Sequence, residues 1–188
     1  MKKQIIIGLS ICAFVALFLK SGTTAPEKEE FIARVLQGGM QYSETTRKIK
    51  ITIDGYTTEE EVLNLIGTMN EQGYQPFMDA FRALNKGTFF PIGGRGIKLI
   101  LHGAHSYPTE KGRKILLFTT RQTWDVNANV RTDPRFSYMV IELLVDNKGK
   151  GNGNIYEQAS IKLTPQRTFE MDGYNAPPMQ LWDVQLSK

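Results

Sequence analysis

Residues 136–146 constrain the fold more than any other part of the chain. Read as a strand, they place Met139, Ile141, Leu143 and Val145 on one face and Phe136, Tyr138, Val140 and Leu144 on the other, because successive strand side chains point to opposite sides. A strand apolar on both faces needs a cover for each. Around it, from Gly87 onward, runs of β character recur at residues 96–105, 113–124, 154–163, 168–171 and 180–186. Turn chemistry separates them at Pro91 and Gly93-Gly94, Pro108 to Gly112, Asp133-Pro134, Gly149 to Gly153 and Asp172-Gly173. Short links between consecutive strands favour antiparallel pairing.

The covers come from upstream. Lys48 to Asp54 alternates strictly, with Ile49, Ile51 and Ile53 on one face of a half-buried strand. Thr58 and Glu61 form a capping box, and the helix that follows carries Val62, Leu65, Ile66 and Met69 on one stripe up to a capping Gly73. Pro76 opens a second helix with Phe77, Phe81 and Leu84 inward, so residues 58–85 read as a helical hairpin. Residues 31–36 read as a strand or an amphipathic turn of helix, ended by Gly38-Gly39. The hairpin can cover one face of 136–146 and sheet closure the other. The expected fold is α+β: a curved, mostly antiparallel sheet or partly closed roll of about 7–8 strands packed with the hairpin.

Residues 1–25 read as a signal peptide or an N-terminal anchor: Lys2 and Lys3 precede an uncharged, mostly apolar stretch from Ile5 to Leu19, followed by small residues. A helix over Gln4–Leu19 reaches about 24 Å, short of a hydrocarbon core of about 30 Å. The Leu9-Ser10-Ile11-Cys12 run is a poor lipoprotein box, because Ile11 is large and the apolar run continues past Cys12. Residues 26–188 form the expected single domain, exported to the periplasm or beyond. The net charge of +4 then changes meaning, since the segment holds Lys2, Lys3 and Lys20 and no acid, leaving 20 basic and 19 acidic residues. A domain of net charge +1 without cysteine excludes disulfides and thiolate chemistry and gives no basic stripe for nucleic acid. Membrane contact is expected only through an uncleaved N-terminal segment.

Several blocks share an order. Lys50-Ile51-Thr52-Ile53-Asp54 leads into the capped helix, and Arg113 to Arg121 leads to Trp124. Then follow Phe136 to Leu143, Asp146-Asn147-Lys148-Gly149-Lys150-Gly151, and Phe169 to Tyr174 with Pro178. The order resembles a family of uncharacterised secreted or periplasmic bacterial proteins over about residues 30–186, with Gly55-Tyr56 departing where that pattern places a Trp. The resemblance implies export and one shared domain and favours a strand at 31–36. It assigns no activity and no catalytic residue.

Candidate chemistry is sparse. Asp146 to Glu157 has the outline of a calcium loop, but Lys148 and Lys150 occupy positions that need oxygen ligands, so a glycine-rich turn is expected. His102 and His105, three apart on a strand, are expected on opposite faces, which argues against a shared metal ion unless the segment bends at Gly103. The glycine-rich run 91–96 precedes a strand and so lacks the helix a phosphate loop needs. No nucleophile elbow, zincin or Walker motif occurs. Arg121 and Glu142 interrupt otherwise apolar or neutral strands and, with Asp125, either pair, face solvent or line a polar spot whose apolar wall would be Trp124, Phe136 and Tyr138. No metal and no cofactor is expected.

The leading expectation is a non-enzymatic envelope domain that binds a small apolar ligand or a protein partner. A hydrolase using carboxylates or His105, and a structural envelope protein, are the alternatives. Whether the sheet encloses a cavity or a packed core decides where a ligand could sit.

Overall fold

A computed structural model describes residues 28–37, 45–93, 97–120, 135–164 and 166–187. The N-terminal segment read as a signal or anchor lies outside the described residues. Ten strands and two helices occur among those described: β1 Glu29–Gln37, β2 Thr45–Ile53, α1 Glu59–Gln72, α2 Tyr74–Ala83, β3 Gly87–Ile92, β4 Leu99–Leu101, β5 Gly103–Thr109, β6 Gly112–Thr120, β7 Tyr138–Asp146, β8 Lys150–Leu163, β9 Phe169–Tyr174 and β10 Met179–Leu186. The α+β class and antiparallel pairing hold, while the expected count of about 7–8 strands is too low. One sheet runs β4-β3-β2-β1-β10-β8-β7-β6-β5, with β9 paired to β8.

The extra strands have local causes. Pro91, expected in a turn, pairs with Ile49 inside β3. Because β4 pairs only with Gly87 to Phe89, β3 is an edge by Pro91, where a missing N–H is tolerated. The run 96–105 divides at His102, and Asp172-Gly173 lies within β9 rather than in a turn. Residues 31–36 are strand, in the centre of β1.

The sheet does not close into a barrel, yet its two edges meet. Strands β4 and β5 end the sheet on opposite sides and are joined by His102 alone, so the sheet must curl until those edges touch. The His102 N–H donates to the Phe118 carbonyl at 2.7 Å, binding the junction to β6. Curling creates an inner face lined from nine strands, where Phe31, Ile51, Phe89, Leu101, Leu117 and Ile141 have no exposure. Side chains fill this interior. At its end Arg113 meets Glu29 in a two-pronged pair, both N–O distances 2.9 Å, and the Tyr56 hydroxyl donates to Glu29 at 3.1 Å. Burial and then the Glu29 charge push the Tyr56 hydroxyl up to about 12.

The outer face of β6 to β9 carries a second core, covered by the helical hairpin: Val62, Leu65, Phe77 and Phe81 meet Phe118, Val140 and Phe169. The two-faced strand β7 thus gains both of its covers, with Met139, Ile141, Leu143 and Val145 in the inner core and Tyr138 and Val140 in the outer one. The Thr58–Glu61 capping box is formed in full, and Lys86 reaches Glu61 at 2.6 Å. Gly73 ends α1 and begins α2 with a φ of 89°, a left-handed conformation that glycine adopts without the Cβ penalty. The second helix starts at Tyr74, two residues ahead of the expected Pro76, which fits because proline is tolerated in a first turn.

Candidate functional site

Among the described residues, buried apolar side chains occupy the inner face of the sheet, and clefts open on its outer face. A groove of about 620 Å³ opens where the corner of the helical hairpin stands over the start of β7 and the end of β8. Ile66, Met69, Tyr74 and Phe77 form the helical wall, and Tyr138, Ile161 and Leu163 the sheet wall. The helical wall is the continuation of the α1 stripe. Val62 and Leu65 are buried in the core, whereas Ile66 is half-buried and Met69 exposed.

Tyr138 forms the floor. It is 5% exposed, meets Phe81 edge-on at 5.7 Å and directs its hydroxyl to the Met78 sulfur at 3.0 Å. Burial, reinforced by the Tyr74 hydroxyl, pushes its pKa far above the usual phenol value, so it is a neutral donor rather than a base. The charged groups lining the groove are Arg135 and Lys162, with no carboxylate among the described lining residues. Lys162 also faces Glu170 and Asp172, both at 3.7 Å.

The sequence candidates divide between locations. Arg121, Trp124 and Asp125 lie outside the described residues. Tyr138 lines the groove, while Phe136 sits beside it under the Arg135 guanidinium at 5.8 Å. Glu142 belongs elsewhere: it accepts from the Tyr156 hydroxyl at 3.1 Å and from Asn154 at 3.4 Å. A separate cleft of about 470 Å³ contains Glu142 together with Glu170, Lys114 and Tyr107. Burial and the Glu142 charge push Tyr156 up to about 12, so this hydroxyl also serves as a donor. Sequence reasoning missed Met69, Tyr74, Arg135, Ile161 and Lys162 as a group; Met69 at the free end of a helical stripe was the one available signal.

The histidines do not take opposite faces. The break at His102-Gly103 turns both toward the outer core, where His102 lies 5.4 Å from Phe81 and His105 lies 6.0 Å from Phe169. His102 Nδ1 donates to the Leu84 carbonyl at 2.9 Å, and His105 Nε2 is buried with no hydrogen-bond partner among the described residues. No cluster of three potential metal ligands occurs among the described residues. Asp146 uses its carboxylate in the turn, accepting from the Lys148 and Lys150 backbone N–H groups at 2.8 and 2.9 Å. That is turn chemistry, in place of a calcium loop.

Burial lowers the pKa of both histidines; for His102 the bond to Leu84 opposes the shift and Arg82 adds to it. A histidine held neutral when folded binds fewer protons than in the unfolded chain. Its contribution to stability is therefore complete above the ordinary value of 6.5 and is lost as pH falls toward the lower folded value. Urea unfolding at about pH 7 and about pH 5 should show a stability loss on acidification that is smaller in His105→Phe. At about pH 7 that variant is expected to be neutral or up to about 1 kcal/mol more stable, since a buried ring nitrogen without a partner disappears.

No family model, curated protein or solved structure matches this chain. Fold and groove together define an α+β domain in which a helical hairpin stands over a curled antiparallel sheet.

Proposed function

We propose that the protein is an exported, non-enzymatic binding domain of the cell envelope that takes a small amphipathic molecule in the groove between the helical hairpin and β7–β8. One observation carries the reading: the groove of about 620 Å³ combines apolar walls with two lining cations and no described lining carboxylate. Such a site fits an apolar body held against Met69, Tyr74 and Ile161, with an anionic head that competes with Glu170 and Asp172 for Lys162. Its volume lies in the range of small-molecule pockets, about 300–1,000 Å³. The export element of the proposal rests on the N-terminal segment and the family resemblance.

Displacement of a fluorescent fatty-acid analogue by palmitate tests it. Met69 is 37% exposed, so Met69→Glu places an anion in the groove without opening the core. The variant is expected to bind at least about tenfold more weakly, or about 1.4 kcal/mol, at unchanged stability. Equal binding by both proteins, or none by either, would refute the site.

A hydrolase remains the second reading, favoured by the presence of Glu142 and Glu170 in one cleft beside Lys114. Hydrolysis of an ester or glycoside panel that disappears in Glu142→Gln would establish it; an inactive wild-type protein would remove it.

A further inference from the structure

The half of the sheet that the hairpin leaves uncovered carries a different surface. Residues directly opposite across an antiparallel ladder share a face, so Lys48 and Lys50 of β2 stand beside Ile92 and Phe90 of β3. Thr88 pairs with Ile100 of β4, extending the face to the sheet edge, and Ile97, just ahead of β4, is exposed as well. Phe90, Ile92, Ile97 and Ile100 are 39%, 38%, 45% and 46% exposed, while Ile49, Ile51 and Phe89, which point the other way, fill the inner core. In the other direction Lys48 is opposite Arg34, and Arg34 is opposite Trp182, which is 54% exposed. Of the cations here, Lys50 pairs with Glu30 and Arg34 with Asp183. Lys48 and Lys98 carry no ion pair among the described residues.

We propose that this face, the outer side of β10, β1, β2, β3 and β4, docks on an anionic lipid bilayer. Charge complementarity decides the occupant. Lysines that alternate with Phe and Ile can extend their ammonium groups to lipid phosphates while their stems and the apolar side chains enter the headgroup layer. An exposed Trp at the margin suits the same interfacial depth. A second copy of the chain is disfavoured, because a two-fold contact would set this cationic face against itself. The face lies away from the ligand groove, and the proposal is independent of it.

Co-sedimentation with unilamellar vesicles provides the test. Wild-type protein is expected to bind phosphatidylcholine vesicles containing about one third phosphatidylglycerol, to bind pure phosphatidylcholine at least about tenfold more weakly, and to be released as salt is raised. Lys48→Glu is expected to reduce partitioning by more than about fivefold, the effect of one cation at an anionic surface. Phe90→Ser should produce a comparable loss that salt does not mimic. Both positions are exposed, and thermal melting checks that each variant folds. Equal binding to neutral and anionic vesicles, or undiminished binding in Lys48→Glu and Phe90→Ser, would overturn the proposal. So would a soluble dimer that both variants dissociate, since it would assign the face to a second copy.

Discussion

Truncating Phe81 to alanine is expected to cost about 3–5 kcal/mol, the range for a large buried aromatic. The ring has no exposure, and it contacts four others at once: Phe77 at 6.2 Å, His102 at 5.4 Å, and Tyr138 and Phe169 at 5.7 Å each. It therefore ties α2 to β7, to β9 and to the junction where the sheet edges meet. Removing it leaves a cavity in the second core, and the hairpin loses its main hold on the sheet. Urea unfolding should report the loss. Hydrogen exchange should rise across α1 and α2 before it rises in β1 and β2, whose side chains belong to the inner core. A cost below about 1 kcal/mol would mean that the hairpin is held by other contacts. Because the groove lies between hairpin and sheet, ligand binding should weaken as well.

Gly153→Ala is also expected to be severe, at about 3 kcal/mol, for a different reason. A Cβ at Gly153 would stand 2.1 Å from the Glu142 carbonyl oxygen, and one at Gly151 would stand 1.8 Å from that of Leu144. Strand β8 passes between β7 and β10 at this point, with Gly153 opposite both Leu143 and Leu181, and Gly151 opposite both Val145 and Val184. The glycines give up their own volume so that backbones can approach and these four side chains can fill the interior. An added methyl must push β7 and β8 apart, breaking ladder hydrogen bonds where the sheet curls. Thermal unfolding of Gly153→Ala measures this, and a change in Tm of only a degree or two would contradict it.

These positions also show what one sequence reveals. The strict alternation of Lys48 to Asp54 identified a half-buried strand, and the two-faced pattern of β7 required covers on both sides; both properties depend on local periodicity. The Thr58–Glu61 box is equally local, since both members lie within one turn. Gly149 to Gly153 read as a turn, yet Lys150 to Gly153 is strand. Glycine marks a turn and a close backbone approach in the same way, and only the neighbouring strand distinguishes them. Pro91 is the same case, because its place in β3 depends on where β4 stops. The groove was still less legible. Met69 and Ile66 are adjacent along α1, but Ile161, Lys162 and Arg135 come from distant segments that meet only when β8 folds beneath the hairpin. Among the described sequence candidates Tyr138 alone lines the groove, and it does so as a consequence of being apolar-facing in β7. Glu142 was visible as a charge in an apolar strand, and its partners, Tyr156 and Asn154, come from the next strand.

The central claim is that ligands bind outside the sheet, in the groove, and that its interior is solid. Side-chain methyl NMR during titration with palmitate tests this directly. The account predicts saturable shifts at Ile66, Met69, Ile161 and Leu163, with Ile51, Leu117 and Ile141 of the inner core unmoved. Shifts centred on those inner residues, or no saturable shifts at all, would contradict it.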